Sequence, residues 1–149
     1  MRRHAQSGMA MVEFAIAMPL LFLLLLAVVE FGRAFYQYNQ LVSAARDAAR
    51  YLASSQHGTT GVVTIAATDS TAAKYLAVYG NAAGSGSPLL PNLSTSQVTI
   101  ATDASNNISV SIAYPYQSMF GGTIPTFGSG GSINTGNVVL QAYTSMLAL

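Results

Sequence analysis

Among the groups that most often carry acid–base, metal or thiol chemistry, this 149-residue sequence has five carboxylates, two histidines and no cysteine. His4 and His57 have no carboxylate cluster near them in sequence, and His57 reads as a solvated turn residue beside Gly58. Asp47, Asp69 and Asp103 are more than twenty residues apart and fall on a helix face, a helix cap and a turn. Beyond Lys74 the only charged side chain is Asp103, so little remains from which to assemble an acid, a base and an orienting group. Without cysteine there is no thiolate zinc site, disulfide framework or Cys nucleophile. The glycines at 121–122 and 128–136 lack the lysine that a phosphate loop requires. No catalytic, cofactor-binding or metal residue is assigned, and the chain is not expected to be an enzyme. Charged residues make up 7% of the chain with a net charge of +1, far from the clustered Lys and Arg that nucleic acid calls for, so no nucleic-acid partner is expected. One carboxylate has an unusual setting: Glu13 stands five positions after Gly8, at the entrance to a long uncharged stretch.

The element that must carry Glu13 is apolar. Phe14 to Val29 is uncharged, and eleven of its sixteen residues are Leu, Ile, Phe or Val. At about −0.3 to −0.6 kcal/mol each these contribute roughly −3 to −7 kcal/mol toward membrane insertion, against about +3 for one central acid. Glu13 is at the edge, where its cost is smaller. With Met9 to Glu13 added, a helix here spans about 31 Å, close to a hydrocarbon core. Arg2 and Arg3 precede the span, which predicts a cytoplasmic N-terminus and an exported remainder. An ordinary secretory signal needs a small-x-small site after its apolar core, and VVEFGRAFYQYNQ supplies none. A plain single-pass anchor and a prepilin-type signal both remain.

The stretch SGMAMVEFAIAMPLLFLLLLAVVEFGRAFYQYNQLVSAARDAARYLA resembles the TadE-like family of Flp/Tad pilus proteins. The resemblance rests on Gly8, Val12-Glu13-Phe14, Pro19 before the Leu run, Glu30-Phe31-Gly32-Arg33 and the Ala44-Ala45-Arg46 to Ala49-Arg50-Tyr51 segment. Fainter echoes are Tyr114-Pro115-Tyr116 and a last strand reaching Met146. Leu147-Ala148-Leu149 replaces the family's charged finish, and Met9 stands where a small residue is commoner. The resemblance implies a leader of residues 1–8 cut between Gly8 and Met9, a transmembrane and assembly segment over 9–29, and an exported pilin-like head over 30–149. Glu13 and Phe14 are then the assembly residues, Glu13 gaining a partner in a bundle of subunits. The implied partners are a prepilin peptidase, other pilin and pseudopilin subunits, an inner-membrane pilus assembly platform and the lipid bilayer. The implied function is that of a minor pilin or pseudopilin of a Tad (type IVc-like) pilus, located in the inner membrane and extracellular after assembly. The alternative is an uncleaved single-pass protein displaying a small binding or adhesive head.

The expected fold class is α+β and pilin-like: one long N-terminal helix packed on a small three-stranded antiparallel sheet. The helix is predicted from Ala10 to Ser55. Phe31, Phe35, Tyr38, Val42, Ala45, Ala49 and Leu52 recur at alternating spacings of four and three, which marks a face that needs covering. Arg33, Gln37, Gln40, Asp47 and Arg50 fall on the other side. Val62 to Ala67 has no decisive periodicity. A short helix is predicted from Ser70 to Tyr79, capped by Asp69 or Ser70 and stopped by Gly80. Gln97 to Thr102 and Ile108 to Tyr114 read as a hairpin, with Val98 and Ile100 on one face and Ile108, Val110 and Ile112 on another. Ser118 to Asn137 reads as a Gly-rich loop, and Val138 to Met146 as the third strand.

Overall fold

The computed structural model describes residues 4–55, 64–103, 105–119, 121–125, 131–134 and 136–147. Arg2, Arg3, His57, Gly58 and the start of the Val62 to Ala67 segment lie outside these residues. The first element, α1, runs His4–Ser55, 52 residues, and is about 78 Å long. It begins six residues earlier than the sequence predicts, because nothing between His4 and Met9 breaks a helix. Gly8 within it costs only about 1 kcal/mol relative to Ala. Pro19 and Gly32 also lie inside α1 without ending it.

The second helix, α2, spans Ala67–Tyr79 and also starts earlier than expected. Its N-cap is Ala66, with no side-chain cap, and the Ser70 N–H donates to the Ala66 carbonyl. Asp69 is therefore not the cap. It sits in the first turn, where an acid complements the positive end of the helix dipole. The predicted stop holds: Gly80 is left-handed at φ 74°, and its N–H closes on the Leu76 carbonyl.

Among the described residues five strands follow: β1 Val98–Thr102, β2 Asn107–Pro115, β3 Thr123–Pro125, β4 Ser132–Asn134 and β5 Val139–Leu147. The main sheet is antiparallel in the order β1-β2-β5. The predicted hairpin closes where the Asn106 N–H donates to the Asp103 carbonyl and the Asp103 N–H to the Asn107 carbonyl, with Asn106 at φ 60°. The register pairs Val98 with Ile112 and Ile100 with Val110, so the apolar sets of the two strands share one face. This corrects the expectation of separate faces: directly opposed residues project to the same side of a sheet. The predicted loop from Ser118 to Asn137 also needs correction, since β3 and β4 pair within it as a small antiparallel sheet. Three-residue strands carry too little alternation to be seen among glycines.

The core of the head forms where α1 meets α2 and the sheet. Leu41, Ala44, Ala45, Ala48, Ala49 and Leu52 of α1 are buried there, with Ala73, Ala77 and Val78 of α2. Along β2, Ile108, Val110, Ile112 and Tyr114 are buried and alternate with less buried neighbours. The Tyr114 hydroxyl donates to the Pro91 carbonyl at 2.8 Å, which satisfies the one polar atom it carries inward. The predicted helix stripe is only half right. Ala45, Ala49 and Leu52 are buried, but Phe31, Phe35 and Tyr38 are 78%, 68% and 40% exposed. Glu30 and Gln37, seven residues apart on one face, are buried instead. Low on α1 the head covers only the face one residue, about 100°, around from the aromatic stripe. Higher up, α2 and the sheet together take in both faces.

Candidate functional site

The four residues singled out by the sequence lie together on the lower part of α1. Gly8, Met9, Glu13 and Phe14 are all exposed, and space around Gly8 is open. Gly8 sits within continuous helix rather than before it. From Met9 to Val29 one large apolar side chain after another is more than half exposed, including Met9 at 74%, Ile16 at 75% and Leu20 at 72%. None of the most apolar stretch is buried by the rest of the chain, and the helix is long and apolar enough to cross a membrane. A core helix of a soluble domain is covered by its own fold; this one is not. It fits a membrane anchor.

Where the apolar run meets the head, the structure assembles a junction that the sequence reading missed. Glu30 is 7% exposed. Its Oε1 accepts from the Met119 N–H at 3.3 Å, and its backbone carbonyl accepts from the Tyr116 hydroxyl at 3.2 Å. The Tyr116 N–H in turn donates to the Val138 carbonyl at 2.8 Å, tying the segment to the entrance of β5. Burial, then the adjacent Glu30 carboxylate, pushes the Tyr116 hydroxyl up to about 12, with the Arg33 guanidinium opposing. Glu30 Oε2 and Gln37 Oε1 are buried without a hydrogen-bond partner among the described residues. The signal was available: an acid flanked by Val29 and Phe31 needs cover or a partner. No local pattern names Tyr116 and Met119 as that cover, 86 and 89 residues away.

The scattered carboxylates stay scattered. Asp47 is on the exposed side of α1, and Asp69 is in the first turn of α2. Asp103 closes the β1–β2 turn, accepting from the Ser105 N–H at 2.6 Å and from Asn107 Nδ2 at 3.4 Å. Those bonds hold its carboxyl below the ordinary range, the Ser105 amide most of all. Among the described residues no three His, Asp or Glu side chains gather into a metal-holding group.

Residues 8–50 match the family described as TadE-like protein. The matched segment takes in the exposed apolar run, Glu30 on the α1 side of the junction, and most of the helix face that enters the head. The resemblance expected from the sequence is thus shown over those residues, and it supports involvement in Tad pilus assembly. No curated protein and no solved structure matches the chain.

Proposed function

From the TadE-like character of residues 8–50, we propose that the chain is a minor pilin or pseudopilin that joins or initiates a Tad-type pilus. The observation that carries this reading is a helix of two halves: its upper half is built into a head with its own core, and its lower half is bare. A bare apolar half is suited first to lipid and then to a bundle of like helices. Glu13 and Phe14 are the assembly residues in this reading. A carboxylate at the edge of an apolar span is costly alone and far less so when paired, so bundling with other pilin or pseudopilin subunits favours Glu13. A prepilin peptidase would cut between Gly8 and Met9, and an inner-membrane assembly platform would receive the subunit. The N-terminus is inside, the head is exported, and the role is structural rather than enzymatic.

A second reading, an uncleaved anchor displaying a binding or adhesive head, is favoured by one observation: α1 runs unbroken through Gly8. Glu13→Ala separates the two. In a host that makes the pilus, the variant should remain in the membrane fraction while piliation falls about tenfold, the equivalent of roughly 1.4 kcal/mol. Normal piliation by Glu13→Ala would count against the pilin reading and for the anchor.

A further inference from the structure

We infer that the base of the head is a lipid-seated collar, resting on the membrane reading above: Phe31, Phe35 and Tyr38 of α1, with Met119 and Val139 of the head, lie in the interfacial layer of the bilayer. The first argument is one of level. Glu13 and Arg33 are the charges on either side of the apolar run Phe14 to Val29, twenty residues apart, with Glu30 the one charge between them. At 1.5 Å per residue that separation is about 30 Å, the thickness of a hydrocarbon core. With Glu13 at one boundary, the other falls at Arg33, beyond Val29. Phe31 then lies at the hydrocarbon edge of the interface, Arg33 reaches the headgroups, and Phe35 and Tyr38 occupy the layer where aromatic side chains concentrate.

The second argument is that the head reaches down to the same level. The Met119 N–H is bonded to Glu30 Oε1 and the Tyr116 hydroxyl to the Glu30 carbonyl, so this segment lies one turn of α1 below Arg33. The Tyr116–Val138 bond brings the start of β5 down beside it. At this level three apolar side chains of the head are uncovered beside the polar Gln117, Ser118 and Asn137: Met119 is 61% exposed, Val138 45% and Val139 50%. Leu140 completes a groove with Phe31, Gly32, Ala34, Phe35 and Tyr38 whose walls are almost wholly apolar. The single charge between Glu13 and Arg33 is Glu30, and it is the one that the head covers. An acid below the lipid boundary is costly unless shielded. Its cover by Tyr116 and Met119 gives this arrangement a physical purpose.

The fold contains its own control. β5 rises from Val139 to Leu147, and both end residues are exposed, at 50% and 58%. Leu147 pairs with Asn107 at the far end of the sheet, about 26 Å from Val139 along the strand. One end of a single strand is in lipid and the other in water.

The chain has no cysteine, so single-cysteine variants of the full chain are free of background. Leu21→Cys, Met119→Cys, Val139→Cys and Leu147→Cys are labelled with an environment-sensitive fluorophore. They are then placed in phosphatidylethanolamine/phosphatidylglycerol vesicles carrying nitroxide on the acyl chain or on the headgroup. Labels at Leu21 should be quenched most by the deep nitroxide. Those at Met119 and Val139 should lose about half their emission to the shallow one, and Leu147 should be quenched by neither. If Leu21 alone is quenched, the anchor stands and the collar is overturned. Labels at Met119 and Val139 hidden from both lipid nitroxide and aqueous iodide would mean that a second copy or another subunit covers the base, which also overturns it. An unquenched Leu21 label would remove the anchor reading and the collar with it.

Discussion

Tyr116 is the residue on which the junction between span and head can be measured. Its hydroxyl is neutral below the usual 10 in an unfolded chain, and stays so up to about 12 in the fold. A proton held more tightly by the folded state stabilises it at all lower pH, and that contribution drains away as pH rises between the two values. Stability of the detergent-solubilised chain, followed by denaturant titration, should therefore fall between pH 10 and 12. Tyr116→Phe should flatten that decline, although it loses the bond to the Glu30 carbonyl and starts lower by about 1 kcal/mol. A variant whose alkaline decline matches that of the parent would separate Tyr116 from the effect. Glu30 itself shows where local reading ends. Its place in an apolar context was visible in sequence, but its partners arrive through the sheet, and no spacing rule connects residue 30 to residues 116 and 119.

Among the elements, α2 and the loop after it depend on a backbone that few residues adopt. Gly84 has φ +67°, and a Cβ there would meet the Tyr75 ring at 2.8 Å. Tyr75 in turn stands edge-on to Tyr79, with ring centroids 6.1 Å apart. Gly84→Ala should destabilise the head by about 1–3 kcal/mol through left-handed strain and displacement of Tyr75. Gly86 also has a positive φ, of +96°, but open space around it, so Gly86→Ala reports the backbone cost without the clash. Thermal unfolding followed by the tyrosine near-ultraviolet signal should place Gly84→Ala below Gly86→Ala, and the reverse order would refute the contact argument. The strands β1, β2 and β5 were legible within a residue or two, the first two from their alternation. The face of α1 was not, because its aromatic and small apolar residues form two adjacent stripes. Periodicity marks both as apolar and cannot say that the head takes one and leaves the other bare. β3 and β4 were missed for the opposite reason, each being three residues in a glycine-rich stretch.

For the whole molecule, the division into a bare lower helix and a covered upper one was readable from composition: an uncharged run, then a helix patterned for a core. The proposed processing step rests on the sequence and not on the geometry. In cells that carry a prepilin peptidase, intact-mass measurement should show a 141-residue product beginning at Met9, since the leader would take eight of 149 residues. A mass corresponding to a Met1 start in those cells would defeat the cleavage reading while leaving the membrane helix and head as they are. Because Gly8 is inside α1, cutting there would require the first turns to unwind, and Gly8 is the poorest helix former within those turns.

The continuity of α1 through Pro19 and Gly32 has a mechanical meaning. No linker separates the part that meets lipid from the part that meets the core, and the Glu30 clasp fastens the head to the same rod. A pull or twist applied near Glu13 is therefore passed to the sheet along one helix. A displacement of one helical turn at the foot, about 5.4 Å, reaches the head only through the turn around Pro19, where the helix lacks one backbone hydrogen bond.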